Sequence, residues 1–225
     1  MPTPLYANHA EWIAGIKNWL ETDDQPDVDT ELFFYLAQLR LNRELQSVPM
    51  EESVDITITA GMVGLPIDLL AEIPDFNKIR LVIPYAYAKP SKVIAINEML
   101  DKIADEFTEG VPYTGPDRRE INYYCIDSRM LYLYPWPGED AVVTIKYYVE
   151  VPFITPTNDT NIFSIFHSDI LLSASLLAGS QFIIEDERVP MFENSYALGL
   201  DSSNNTGKHQ NMGSTPLGRQ IKGLS

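Results

Sequence analysis

The 225-residue sequence predicts an α+β fold. Three observations predict it. Apolar residues recur at helical spacing up to Leu45. Period-two runs rich in β-branched and aromatic residues dominate from Ser53 to Val151. A long apolar segment, "DILLSASLLAGSQFII" from Asp169 to Ile184, then returns to helical character. The order helices, strands, helices suits terminal helices packed as a helical bundle, with a central β-strand-rich part standing apart. The expected divisions are N-terminal helices in residues 1–52, a β-rich part in 53–155, C-terminal helices completing the bundle in 156–200, and an extended C-terminal interaction tail in 201–225.

The elements follow in order. A first helix spans Asn8 to Glu21, with Trp12, Ile13, Ile16, Trp19 and Leu20 on one face. "TDDQPDVD" then breaks the chain. Its acids lack the central glycine and the distal glutamate of a calcium loop. Asp29 suits an N-cap instead, with Glu31 in the first turn. The second helix runs from Thr30 to Leu45. Leu32, Leu36 and Leu39 mark its apolar face, widened by Phe33, Leu41 and Leu45, and Arg40 and Arg43 suit its C-terminal end.

The β part opens with "SVDITITA". "IRLVIPYAYA" follows as an edge or bulged strand, because Pro84 removes a ladder donor. "SKVIAINEMLDKIADEF" interrupts as an amphipathic helix. Leu131–Tyr134 and Val142–Val149 read as the two strands of a β-hairpin, joined by Pro135, Trp136, Pro137, Gly138, Glu139 and Asp140. Trp136 at its tip packs on the neighbouring strand or stacks on a ligand. After two Thr-Pro steps comes the buried helix from Ser168 to Ile184, too short for a membrane span. "EDER" turns a corner. Pro190 then opens a last helix, with Phe192, Tyr196 and Leu200 on one side.

Composition narrows function. The chain is 45% hydrophobic and carries a net charge of −16, which argues against a nucleic-acid-binding surface. An acidic surface instead lets DNA slide past. The single Cys125 excludes an internal disulfide and reads as a buried apolar residue. The N-terminus lacks the basic start and unbroken apolar stretch of a signal peptide. Residues 201–225 are crowded with Gly, Ser and Asn. There Lys208, Arg219 and Lys222 stand against Asp201, a net of +2, which leaves −18 for residues 1–200.

No catalytic constellation emerges. His9, His167 and His209 lie in unrelated segments without metal-ligand spacing. "TGKHQ" lacks the glycine and Ser/Thr of a phosphate loop, and no nucleophile elbow is present. The expectation is no enzyme, no metal and no cofactor. Two other readings remain: a carbohydrate-binding β module with Tyr132, Tyr134 and Trp136 as a stacking platform, and an acidic hydrolase with an unrecognised carboxylate pair.

The order of several segments resembles the head-to-tail adaptor (connector) proteins of short-tailed bacteriophages, the ring below the portal. The segments are "ELFFYLAQLRLNREL", "GLPIDLLAE", "GVPYTGPDRREINYYCIDSRMLYLYPWPGEDAVVTIKYY" and "VPFITPTNDTNIFSIFHSDILLSASLLAGSQFIIEDERVPMFENSYALGL". A Leu-Pro-x-Asp step leads into the β part, a strand pair ends in Tyr-Tyr, and a Thr-Asn segment precedes an apolar helix closing in "DER". The likeness covers Glu31 to Leu200. One departure is His167-Ser168, where the pattern usually has a proline. The resemblance implies a structural virion protein assembled in the host cytoplasm. It implies a homo-oligomeric ring, twelve-fold, that binds a portal protein and a tail nozzle or tube protein and passes DNA without binding it. Interface residues are then expected in the tail, at Lys208, Leu217, Arg219, Ile221, Lys222 and Leu224, and at the hairpin tip, Trp136. The apolar three, Leu217, Ile221 and Leu224, have helical spacing.

Overall fold

The computed structural model describes residues 3–21, 29–58, 67–84, 90–108, 121–135, 140–182 and 187–212. The fold is α+β. The chain divides into two compact units, Met1–Met50 with Val151–Ser225, and Glu51–Glu150.

The first unit is helical. Helix α1 spans His9–Leu20, with Asn8 as N-cap accepting from the Glu11 amide. Helix α2 spans Thr30–Glu44 and is capped by Asp29, whose side chain accepts from the Leu32 amide. A 3-10 turn follows at Val48–Met50. Helices α5 (Ile162–Phe166), α6 (Ser168–Ser180) and α7 (Val189–Met212) complete the unit. Trp12 stacks on Phe34 with ring centres 5.5 Å apart. Gly179 lets α6 approach closely, since a Cβ there would stand 2.5 Å from Leu20 Cδ1. The serines of α6 stay compatible with its apolar surroundings because Ser173, Ser175 and Ser180 donate to carbonyls of their own helix.

On α2, Phe33, Leu41 and Leu45 are buried as expected, but the rest of the buried face departs from the sequence expectation. Phe33, Phe34, Ala37, Gln38, Leu41 and Asn42 face inward, while Leu32 and Leu36 are exposed. The reason is polar. Asn42 exchanges two hydrogen bonds with the Val151 backbone, at 3.0 and 2.9 Å. Gln38 Oε1 accepts from the Ile154 amide at 2.7 Å and from the Asn161 side chain at 3.4 Å. An incoming segment without regular structure needs such partners for its buried backbone, and it turns that face of α2 inward. On α1, Trp12, Ile16 and Leu20 are buried as expected, but Trp19 is exposed.

The C-terminal boundary also needs correcting. Helix α7 continues to Met212, so residues 201–212, expected as extended tail, are helical. Asn204 accepts from the Gln46 amide at 2.8 Å and donates to the Glu44 carbonyl at 3.2 Å, finishing the end of α2. Asn204 is a polar side chain, which carries no apolar periodicity to detect.

The second unit holds two sheets. Strands β1 (Glu51–Ile58), β3 (Phe76–Pro84) and β7 (Ala141–Val149) form one, in antiparallel order β1-β7-β3. Strands β2 (Ile67–Asp68), β4 (Lys92–Val93), β5 (Tyr123–Asp127) and β6 (Met130–Tyr134) form the other, in order β2-β6-β5-β4. Helix α3 is the single turn Leu69–Glu72, and α4 spans Ile96–Thr108. The edge position and bulges expected for β3 are present, but its register shifts fall between Phe76 and Lys78 and between Ile79 and Leu81 rather than at Pro84.

The expected hairpin of residues 131–149 does not form. β6 pairs with β5 and β2, whereas β7 pairs with β1 and β3. Length decides this. The nine residues of β7 find matching ladders in the eight of β1 and the nine of β3, and five-residue β6 has no such edge to offer. The true hairpin is β5–β6. It turns at Ser128 and Arg129, at φ 50° and 68°. A two-residue turn with both φ positive is the favoured hairpin turn, but it usually announces itself by Asn or Gly.

Candidate interaction surface

Among the described residues no group of three His, Cys, Asp or Glu side chains is placed to hold a metal ion. Cys125 is buried in β5, where burial and then the charge of Asp127 push its thiol pKa up. Tyr134 donates to the Lys102 carbonyl at 3.3 Å, and Lys102 lies over the Tyr123 ring at 4.8 Å. One member of the imagined stacking platform is thus tied to α4.

The predicted contact residues fall largely beyond the described ones. Trp136, Leu217, Arg219, Ile221, Lys222 and Leu224 lie outside the described residues. The strands that precede and follow Trp136 in the chain, β6 and β7, lie in different sheets. Lys208 lies on α7, with its side chain outside the described part.

What the helical unit does show is two exposed faces with patterned chemistry. The first is on α2. Leu32, Tyr35, Leu36 and Leu39 follow the i, i+3, i+4, i+7 spacing of one helix stripe. Leu32, Tyr35 and Leu36 are 40%, 46% and 37% exposed, and Leu39 is half-buried. Arg40 and Arg43 continue the same stripe. Arg40 is engaged: its Nε donates to Glu44 at 3.0 Å and its guanidinium lies 4.3 Å from the centre of the Tyr196 ring. Tyr196 donates to the other Glu44 oxygen at 2.8 Å, and burial, then that bond, raises its pKa. This network ties α7 to α2 and leaves Arg43 exposed, with no ion pair among the described residues. Beside the stripe, Leu36, Ala37, Arg40, Ala174, Ala178, Gln181 and Phe182 line a groove of about 150 Å³ between α2 and α6. The sequence reading found this stripe but placed it inside.

The second face is on α7. Met191 and Leu198, seven residues apart, are 53% and 63% exposed, with Glu193 and Asp201 exposed alongside. No sequence expectation picked out Met191 or Leu198. Their signal was available, as the apolar residues left over once Phe192, Tyr196 and Leu200 are assigned inward.

A wider cleft of about 350 Å³ lies where the 3-10 turn, the α5–α6 junction and α7 meet. His167 sits there, with Nδ1 3.2 Å from Ser203 Oγ and Nε2 buried without a partner among the described residues. Burial lowers its pKa, with Asp169 opposing. Val48 and Phe166 are exposed at the rim, and Ser47 lies buried below them.

The SU10 adaptor protein family matches residues 7–219, and the chain belongs to that family. It is therefore a bacteriophage structural adaptor, a component of the virion that contacts portal and tail proteins in general and is not of an enzymatic class. No curated protein matches the chain. Among the described residues no helix is long and apolar enough to cross a membrane.

Proposed function

We propose that the protein is a head-to-tail connector of a short-tailed phage: a homo-oligomeric ring that joins the portal to the tail nozzle or tube and lets DNA pass during ejection. The observation that carries this is the family match over residues 7–219. The net charge of −16 supports it, because a channel wall that repels phosphate does not hold passing DNA. Twelve-fold symmetry rests on the resemblance alone. Residues 213–225 form the protein's C-terminal interaction tail. In this reading Lys208, Leu217, Arg219, Ile221, Lys222 and Leu224 contact the portal or an acidic neighbouring copy, and Trp136 contacts an adjoining subunit.

The isolated protein is then a monomer or small oligomer that becomes a ring on a portal template. Sedimentation with and without portal protein tests this. A large species only in the mixture is expected. A stable ring from the protein alone overturns templating, and no association at all overturns the connector reading.

A further inference from the structure

We infer that the outer stripe of α2 on one copy packs against the outer stripe of α7 on the next copy, with the two helices parallel. This rests on the ring reading and names the surfaces that would build the ring. The first argument is that α2 is apolar on both sides. Phe33, Phe34, Ala37 and Leu41 fill the core, while Leu32, Tyr35 and Leu36 remain exposed. A helix that is apolar on two opposite sides is expected to be covered on both in its working state.

The second argument is register. Leu32 and Leu39 are seven residues apart, and so are Met191 and Leu198. Both spacings advance about 10 Å along a helix axis. Setting Met191 beside Leu32 therefore sets Leu198 beside Leu39, and the alanine-lined groove next to Leu36 offers a socket for one of these side chains.

The third argument is charge. Arg43 follows Leu39 by four residues, and Asp201 follows Leu198 by three. Both are exposed, and neither is in an ion pair among the described residues. The parallel register brings them together. In a chain of net charge −16, copies repel one another except where a cation meets an acid. Arg40 is already held by Glu44 and Tyr196, so on this stripe Arg43 is the available cation. Because the two stripes are different surfaces, the contact is head-to-tail, the kind that closes into a ring when its rotation permits. A symmetric contact of α2 with α2 is the competing arrangement.

The test uses the full chain in two cysteine variants, Leu39→Cys and Leu198→Cys, one of them tagged to differ in mass. Native Cys125 is buried. Each is assembled on portal protein, oxidised with copper phenanthroline alone and as a mixture, and read on a non-reducing gel. The expected result is a cross-linked dimer of one tagged and one untagged chain in the mixture only. Dimers of Leu39→Cys alone overturn the inference in favour of the symmetric contact. No cross-link in the mixture overturns it outright, and the ring reading is then judged separately by whether wild-type protein assembles on portal. Arg43→Asp and Asp201→Arg, each placed in the cysteine background, should slow cross-linking about two- to fivefold at low salt. The two reversals together should restore it; failure to restore overturns the parallel register.

Discussion

At the scale of single residues, two polar side chains do work that apolar patterning hides. Asn42 satisfies both backbone groups of Val151 from inside the helical unit. Asn42→Ala leaves them unpaired in a buried setting and should destabilise by about 1–3 kcal/mol, read as a lower urea midpoint with unchanged slope. An unchanged midpoint would show that water replaces the amide. His167 supplies a pH dependence. Burial lowers its folded pKa below its ordinary value. The folded state thus binds fewer protons than the unfolded state. Its contribution to stability is present above about pH 6.5 and is lost as pH falls through the folded pKa. Melting temperatures at pH 7.5 and 5.5 should differ more for the wild type than for His167→Asn. Equal differences would show that His167 is not the titrating group.

At the scale of elements, burial separates two substitutions on neighbouring helices. Leu176 is buried on α6, so Leu176→Ala should cost about 2–5 kcal/mol as a core cavity. Pro190 lies exposed in the first turn of α7, where no backbone donor is required, so Pro190→Ala should be mild. Thermal melts that rank the two the other way would mean α6 is not packed as described. Strand pairing shows the same rule of fit. β7 is central because its length and its buried residues, Val143, Ile145 and Tyr147, need a ladder on each side. Tyr147 donates to Glu52 on β1 at 3.2 Å, and burial, then the charge of Asp75, pushes its pKa up to about 12.

At the scale of the whole molecule, the chain is expected to tolerate a cut only beyond the end of α7 at Met212. Removing residues 213–225 should leave the circular dichroism and melt of the body unchanged while weakening attachment to portal, since Leu217, Arg219, Ile221, Lys222 and Leu224 go with it. Removing residues 202–225 should also lower the melt, because Asn204 holds the end of α2 and Ser203 meets His167. Portal pull-downs at low and high salt add a second reading. Exposed charge contacts are worth about 0.2–1 kcal/mol each, so salt should weaken the complex only in part if the three apolar tail residues dominate. Equal portal binding by the 213–225 truncation would remove the tail from the interface.

The sequence by itself determined the α+β class, the helix starts at Asn8 and Asp29, the burial of Cys125 and the absence of familiar catalytic spacing. These are properties of local periodicity, capping and composition, which act within a few residues. The order of segments also pointed to the phage adaptor class, which the family match bears out in its general form. Only the tertiary structure decided which apolar face of α2 turns inward, because Gln38 and Asn42 answer to backbone groups more than 100 residues away in the chain. It alone separated β6 from β7, since pairing depends on which distant strands have the matching length. And it alone carried α7 on to Met212, where Asn204 finds its partners at the end of a helix that the local sequence does not mention.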